Sequence, residues 1–144
     1  AFKMAFSDSS FDVVWSGGLI EHFVDLKKVE LIKKMWKLVK EGGILLITVP
    51  SSSDWPFMVA KKILEWRKKW AFGYEDDLSK KRMEELAGKA GLAKYSIFSY
   101  NPIVGWWFFP YGREITNLIG FNQTKYHQLK VPWGHNLIFW VKKD

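Results

Sequence analysis

The sequence predicts an α/β protein in which parallel strands carry helices on both faces and an antiparallel strand pair closes the chain. Three observations predict it. Residues 11–16, Phe11-Asp12-Val13-Val14-Trp15-Ser16, form a short apolar, β-branched and aromatic run. A lysine-studded segment with apolar residues at steps of three and four follows it. Residues 44–49, Ile44-Leu45-Leu46-Ile47-Thr48-Val49, are then apolar on both faces of any strand they form. Strand, helix and strand with tight connections make the βαβ unit, whose strands are parallel and whose crossover is right-handed. A strand buried on both sides calls for helices above and below it.

The first strand is bounded by Ser7-Asp8-Ser9-Ser10 and by Gly17-Gly18. The helix is expected from Asp25, a candidate N-cap, to about Lys40, with Val29, Ile32, Trp36 and Val39 on its apolar stripe, lysines on the solvated remainder and Gly42 ending it. Pro50 stops the second strand. Ser53 or Asp54 caps a second helix to about Trp70, with Val59, Ile63, Trp66 and Trp70 on one face and Lys61, Lys62, Glu65, Lys68 and Lys69 on another. Ser79 opens a third through Met83, Leu86, Ala87 and Ala90, and Gly91 ends it. Residues 95–100 and 136–141 then read as two strands pairing antiparallel at a sheet edge, separated by an aromatic insertion. No repeat or linker divides the chain, so residues 1–144 are read as a single domain.

Composition narrows the chemistry. The 144 residues are 48% hydrophobic and 26% charged, as in a folded globular protein. No cysteine occurs, which excludes disulfides, Cys-ligated metal and cysteine nucleophiles and fits a reducing, cytoplasmic setting. A net charge of +7 favours anionic partners such as phosphate-bearing substrates, nucleic acid or acidic lipid. Nine tryptophans imply a large apolar surface that the core, a ligand or a partner covers. The longest uncharged stretch, residues 95–112, is broken by Pro102 and Pro110 and is rejected as a transmembrane span. The first residues are no secretory signal, and the missing initiator Met points to a chain that begins inside a longer protein.

Three consecutive segments resemble class I S-adenosylmethionine-dependent methyltransferases. They are Phe6-Ser7-Asp8-Ser9-Ser10-Phe11-Asp12-Val13-Val14, then Gly18-Leu19-Ile20-Glu21-His22-Phe23, then residues 38–50 with their Glu41-Gly42-Gly43 turn. The resemblance implies a partial Rossmann-like methyltransferase sheet, the carboxyl-terminal part of a methyltransferase domain, with S-adenosylmethionine as cofactor. The family's Gly-x-Gly-x-Gly loop, the acidic residue that holds the ribose and the Asp ahead of the adenine loop are absent from the sequence. Only four strands are counted against the family's seven, so the first strand is expected to present an open edge.

The resemblance places cofactor contacts at Ser16, Gly17 and Gly18, where backbone meets the methionine end, and at Ala1 and Phe2, which would bind the adenine edge and cover its face. The plain alternatives are an ordinary turn and a frayed terminus. His22 is the candidate catalytic base, with Glu21 to orient it; the bland reading has the pair packing the cofactor loop. His127 and His135, eight apart and without a carboxylate cluster, are read as loop residues, with no metal site. The region from Lys61 to Arg82 is a solvated face or a basic helix resting on an anionic membrane. Trp106-Trp107-Phe108-Phe109 is either an acceptor lid or a hydrophobic plug.

The function expected is transfer of a methyl group from S-adenosylmethionine to a small or lipid-like acceptor. Nucleic acid is not clearly implied as a partner. A peripheral membrane contact and a homo-oligomer through the open edge are the partner expectations. The alternative is a non-catalytic methyltransferase-like remnant that acts as a membrane- or protein-interaction module.

Overall fold

The computed structural model describes residues 6–120, 130–131 and 133–144, with backbone alone at 130 and 131. Strand β1 (Phe11–Gly17) leads through a 3-10 turn at Ile20–His22 into helix α1 (Asp25–Leu38), and β2 (Val39–Pro50) follows. Helices α2 (Trp55–Trp66) and α3 (Lys80–Ala90) precede β3 (Tyr95–Tyr100). A 3-10 segment at Val104–Phe108, helix α4 (Gly112–Leu118), the two-residue β4 (Lys130–Val131) and β5 (Asn136–Lys142) complete the described chain.

The strands form one sheet in the order β1-β2-β5-β3-β4. β1 and β2 run parallel with Val14 opposite Leu45 and Ser16 opposite Ile47, which is the pairing that the βαβ reading requires. The other pairings are antiparallel. Five strands are therefore present among the described residues, one more than the sequence shows, because a two-residue strand carries no hydrophobic pattern. The β3–β5 pair forms as expected, but β5 lies inside the sheet against β2. It belongs there because Leu137, Phe139 and Val141 complete the row begun by Leu45, Ile47 and Val49.

That row is the core. Leu31, Ile32 and Met35 of α1 and Met83, Leu86 and Ala87 of α3 pack on it, each fully buried apolar side chain stabilising by roughly 1.5–3 kcal/mol. The opposite face, for which the apolar run of β2 predicts a second cover, carries Ile44, Leu46 and Thr48 half-buried and Trp15 68% exposed. Burial thus alternates with a period of two where composition does not. The outer edge of β1 pairs with no strand among the described residues.

Helix termini explain where the boundaries differ from expectation. α1 stops at Leu38, not Lys40, and Gly42 lies within β2 instead of capping the helix. Its last carbonyls, Lys37 and Leu38, accept hydrogen bonds at 2.8 and 2.9 Å from Ser9 and Ser10 of the turn before β1, so a tertiary partner satisfies what a glycine cap would. Asp54 caps α2 and Ser79 caps α3, each accepting from the backbone three residues on, and Gly91 ends α3 in the left-handed conformation. α2 ends four residues short of Trp70, because Lys68 is left-handed at φ 54° and turns the chain back, bringing the Trp70 ring to 5.9 Å from Phe57.

The orientation of α2 is a larger correction. Its inner side is Pro56, Phe57, Ala60 and Lys61, while Val59, Ile63 and Trp66, the expected apolar face, point to solvent. Lys28 of α1, assigned to the solvated remainder, is likewise fully buried.

Candidate functional site

β1, β2 and β3 finish, and β5 begins, at one end of the sheet, where a cavity of about 230 Å³ opens. Gly18 and Pro50, just past β1 and at the end of β2, form its floor. Open α/β sheets hold ligands at this end of their parallel strands. Gly18 has a left-handed φ of 61°, and a side chain there would meet only Glu21 Oε1, at 3.6 Å. Its N–H donates to the Thr48 carbonyl at 2.9 Å, locking the loop to β2. At Gly17 a side chain would press at 3.2 Å on Thr48 Oγ1 and the Trp15 ring. Glycine at 17 lets the Trp15 ring and Thr48 pack against the strand end, and at Gly18 the space beside the backbone stays open to a ligand.

Four of the predicted site residues fall in this neighbourhood. Gly18 and His22 line the cavity. Ser16 and Gly17 precede it on β1, and the buried Ser16 hydroxyl has no hydrogen-bond partner. Ala1 and Phe2 lie outside the described residues, as does His127.

Imidazole His22 is held by a segment the sequence did not bring forward. Its Nδ1–H donates to the Tyr74 carbonyl at 2.9 Å, and Nε2 lies 3.8 Å from Glu75 Oε1. Tyr74 and Glu75, instead of Glu21, orient the ring. With Nδ1–H donated to that carbonyl, the neutral form of His22 carries its lone pair on Nε2, as a general base requires.

The acidic run Glu75-Asp76-Asp77 is clamped from two helices. Lys28 pairs with Asp76 and lies 3.6 Å from Asp25. Lys61, 2% exposed, donates to Asp77 at 2.6 Å and to the Glu75 carbonyl at 3.2 Å, and lies 3.7 Å from the Glu75 carboxylate. Lys61 is therefore a buried clamp and not part of a solvated basic face. The Asp76 N–H donates to the Glu21 carbonyl at 2.9 Å, tying this run to the loop after β1. Three adjacent carboxylates in a chain of net charge +7 were the available signal.

Aromatic rings close the cavity. Phe57 meets Phe108 at 5.0 Å and His135 at 4.7 Å between centroids, and Trp70 meets Phe72 at 5.2 Å. Phe108 comes from the aromatic insertion and lines the cavity, whereas Trp106 packs edge-on against Trp55 outside that lining. His135, expected as a loop residue, donates from Nδ1 to the buried Asp54 at 3.1 Å, and Gly105 sits so close to that carboxylate that any side chain would collide with it. Asp54 thus ties α2, the insertion and the start of β5 together.

Glu21 is 1% exposed and borders the cavity. Its carboxyl is pushed above the ordinary range by loss of solvent, with the neighbouring Glu75 adding to the rise; hydrogen bonding to backbone and the charges of His22 and Lys28 oppose it.

The comparisons with known proteins converge on one fold. A family model described as a methyltransferase domain matches residues 1–47. A SAM-dependent methyltransferase from Thermotoga maritima, described as a possible histamine N-methyltransferase, superposes with a TM-score of 0.67 at 18% identity, covering 99% of this chain and 61% of that one. The fold is that of the class I methyltransferases. A second methyltransferase of this fold, from Archaeoglobus fulgidus, matches with a TM-score of 0.60 at 14% identity over 96% of this chain and 62% of that one. Phosphoethanolamine N-methyltransferase 2 of Haemonchus contortus, in complex with S-adenosyl-L-methionine, matches at 0.56 and 21% identity over 99% of this chain and 36% of that one. The chain thus spans about three fifths of the length of the first two methyltransferases it matches. No curated protein sequence matches it.

Proposed function

We propose that the protein carrying this chain transfers a methyl group from S-adenosylmethionine to a small or lipid-like acceptor seated in the cavity. The carrying observation is the cavity's position: it opens beside Gly18 and His22 at the carboxyl ends of two parallel strands in a methyltransferase fold. The strand end suits the cofactor because Gly18 leaves backbone accessible and Ser16 brings a hydroxyl without a partner. When bound, S-adenosylmethionine supplies a sulfonium methyl group that is already electrophilic. The chain's own task is then alignment, exclusion of water and removal of a proton. Phe57 and Phe108 exclude water, and His22 Nε2 accepts the acceptor's proton while the Tyr74 carbonyl holds Nδ1–H.

Calorimetric titration of S-adenosylmethionine into the folded protein tests the reading. Saturable heat is expected, and none would overturn it. His22→Ala should lower kcat by about 100-fold with little change in cofactor affinity, the size of a lost general base.

A second surface supports a peripheral contact with an anionic membrane. Val59, Ile63 and Trp66 are exposed along α2, with the exposed Lys62 on the same helix and Lys69 just beyond its end. Apolar side chains flanked by cations are the arrangement that rests on acidic lipid. No helix of the described residues is long and apolar enough to cross a bilayer.

A further inference from the structure

The chain is strongly basic, yet the cavity lining contains no lysine or arginine and two glutamates, Glu21 and Glu75. Glu21 Oε2, Glu75 Oε2 and the Trp70 indole Nε1 are buried there without a hydrogen-bond partner. A buried carboxyl that no cation balances is costly to ionise, and a cationic ligand would remove that cost.

Of the neighbouring cations, Lys28 serves Asp76 and Asp25 and His135 serves Asp54, while Lys61, closest to Asp77, also stands 3.7 Å from Glu75. Among the described residues, no cation lies within ion-pairing distance of Glu21. The remaining lining is aromatic, chiefly Phe57, Trp70, Phe72 and Phe108. The Trp70 ring already receives one cation, Lys61 Nζ, at 5.7 Å from its centroid. Aromatic faces with a carboxylate suit a weakly hydrated organic cation. A hard divalent metal needs several oxygen ligands, and no group of three candidate ligands occurs among the described residues.

We propose that this cavity is an ammonium-binding pocket, with Glu21 and Glu75 as its counter-ions and the aromatic rings as its walls. Its ligand is a small organic amine, free or as a lipid headgroup. As the acceptor of the methyl group, an assignment that rests on the proposed reaction, the amine gives one proton to His22 Nε2. Its nitrogen then forms the bond to the methyl carbon as the carbon–sulfur bond breaks, with that electron pair staying on sulfur.

The test needs no turnover. The Trp70 indole N–H resonance, assigned by its loss in Trp70→Phe, is followed while tetramethylammonium or the neutral tert-butanol is added. A saturable shift with the ammonium, at least tenfold tighter than with the alcohol, is expected, and Glu21→Gln and Glu75→Gln should each weaken it tenfold or more. Glu75→Asp, which keeps the charge and the clamp by Lys61, should retain binding and separates loss of charge from loss of fold. Equal binding of the two probes, or unchanged ammonium binding in folded Glu21→Gln, overturns the pocket. Micelles of a single-chain phosphocholine lipid distinguish the sources: tighter binding than tetramethylammonium assigns a headgroup, weaker binding assigns a free amine, and either supports the pocket. A parallel titration with S-adenosylhomocysteine keeps the two readings apart. Ammonium binding without cofactor binding overturns methyl transfer alone, and cofactor binding without ammonium discrimination overturns the pocket alone.

Discussion

The β1–α1–β2 unit and the cavity wall built from α2, the acidic run and the aromatic insertion are held together by opposite means. In the first, apolar side chains at regular spacing meet on one sheet face, with Leu31, Ile32, Leu45 and Ile47 all buried. In the second, the side chains turned inward are Lys61, Asp54, Glu75 and His135, joined by ion pairs and hydrogen bonds between residues far apart in sequence. The difference teaches that a polar network can be as buried as a core while its sequence resembles a surface.

The largest expected effect breaks or confirms that contrast. Lys61→Ala removes the cation between Glu75 and Asp77 and leaves a buried carboxylate uncompensated, so it should destabilise the protein by about 3 kcal/mol. The figure sits at the low end for a broken buried pair because Asp77 is 41% exposed. Leu45→Ala in the other region should cost a similar amount, through a cavity and not through a stranded charge. Denaturant unfolding measures both. A change within about 0.5 kcal/mol for Lys61→Ala would return Lys61 to the solvated face.

This contrast also explains what could be read in the sequence. The strands at residues 11–16 and 44–49, the Ser79 cap and the Gly91 terminus were legible because each follows from neighbours a few residues away. Gly18 and His22 were legible through the resemblance, which fixes their place after a strand. The end of α1 was not, because Ser9 and Ser10 satisfy its carbonyls across the fold. Lys28, Lys61 and His135 were missed for the same reason: nothing local marks a lysine whose partner lies 48 residues away, as Asp76 does for Lys28, or 16 away, as Asp77 does for Lys61.

A smaller effect, of opposite sign, is expected at Glu21. Its carboxyl titrates above the ordinary carboxylate range because burial penalises the charged form. A raised acid binds more protons folded than unfolded, so stability falls as pH rises from the unfolded pKa through the folded one, and the full penalty is present above both. Glu21→Gln removes the penalty and should raise Tm at high pH. The gain should shrink as pH falls through the folded pKa of Glu21, with His22, Glu75 and Lys28 as the charged neighbours that set its position. A Tm series against pH on both proteins measures it. A stabilising substitution that also abolishes ammonium binding would mark Glu21 as a residue kept for its charge at a cost in stability.

The smallest expected change in stability lies on the outer side of α2, where it sharpens the comparison most cheaply. Periodicity places Val59, Ile63 and Trp66 on one apolar face, and the fold turns that face outward, leaving Trp66 83% exposed, because Phe57, Ala60 and Lys61 occupy the inner side. Trp66→Glu should therefore alter stability by no more than about 0.5 kcal/mol, as for an ordinary surface position. Were the helix rotated to bury its apolar stripe, the same substitution would cost several kcal/mol by placing an unpaired charge in the core. Its effect on lipid is expected to be larger than its effect on folding. Sedimentation with vesicles rich in an anionic phospholipid should bring down the native chain, and Trp66→Glu should lose that association by removing an interfacial anchor and adding a charge that the surface repels. Equal sedimentation of the two chains would remove the membrane from the account of this face and leave the rotation of α2 standing.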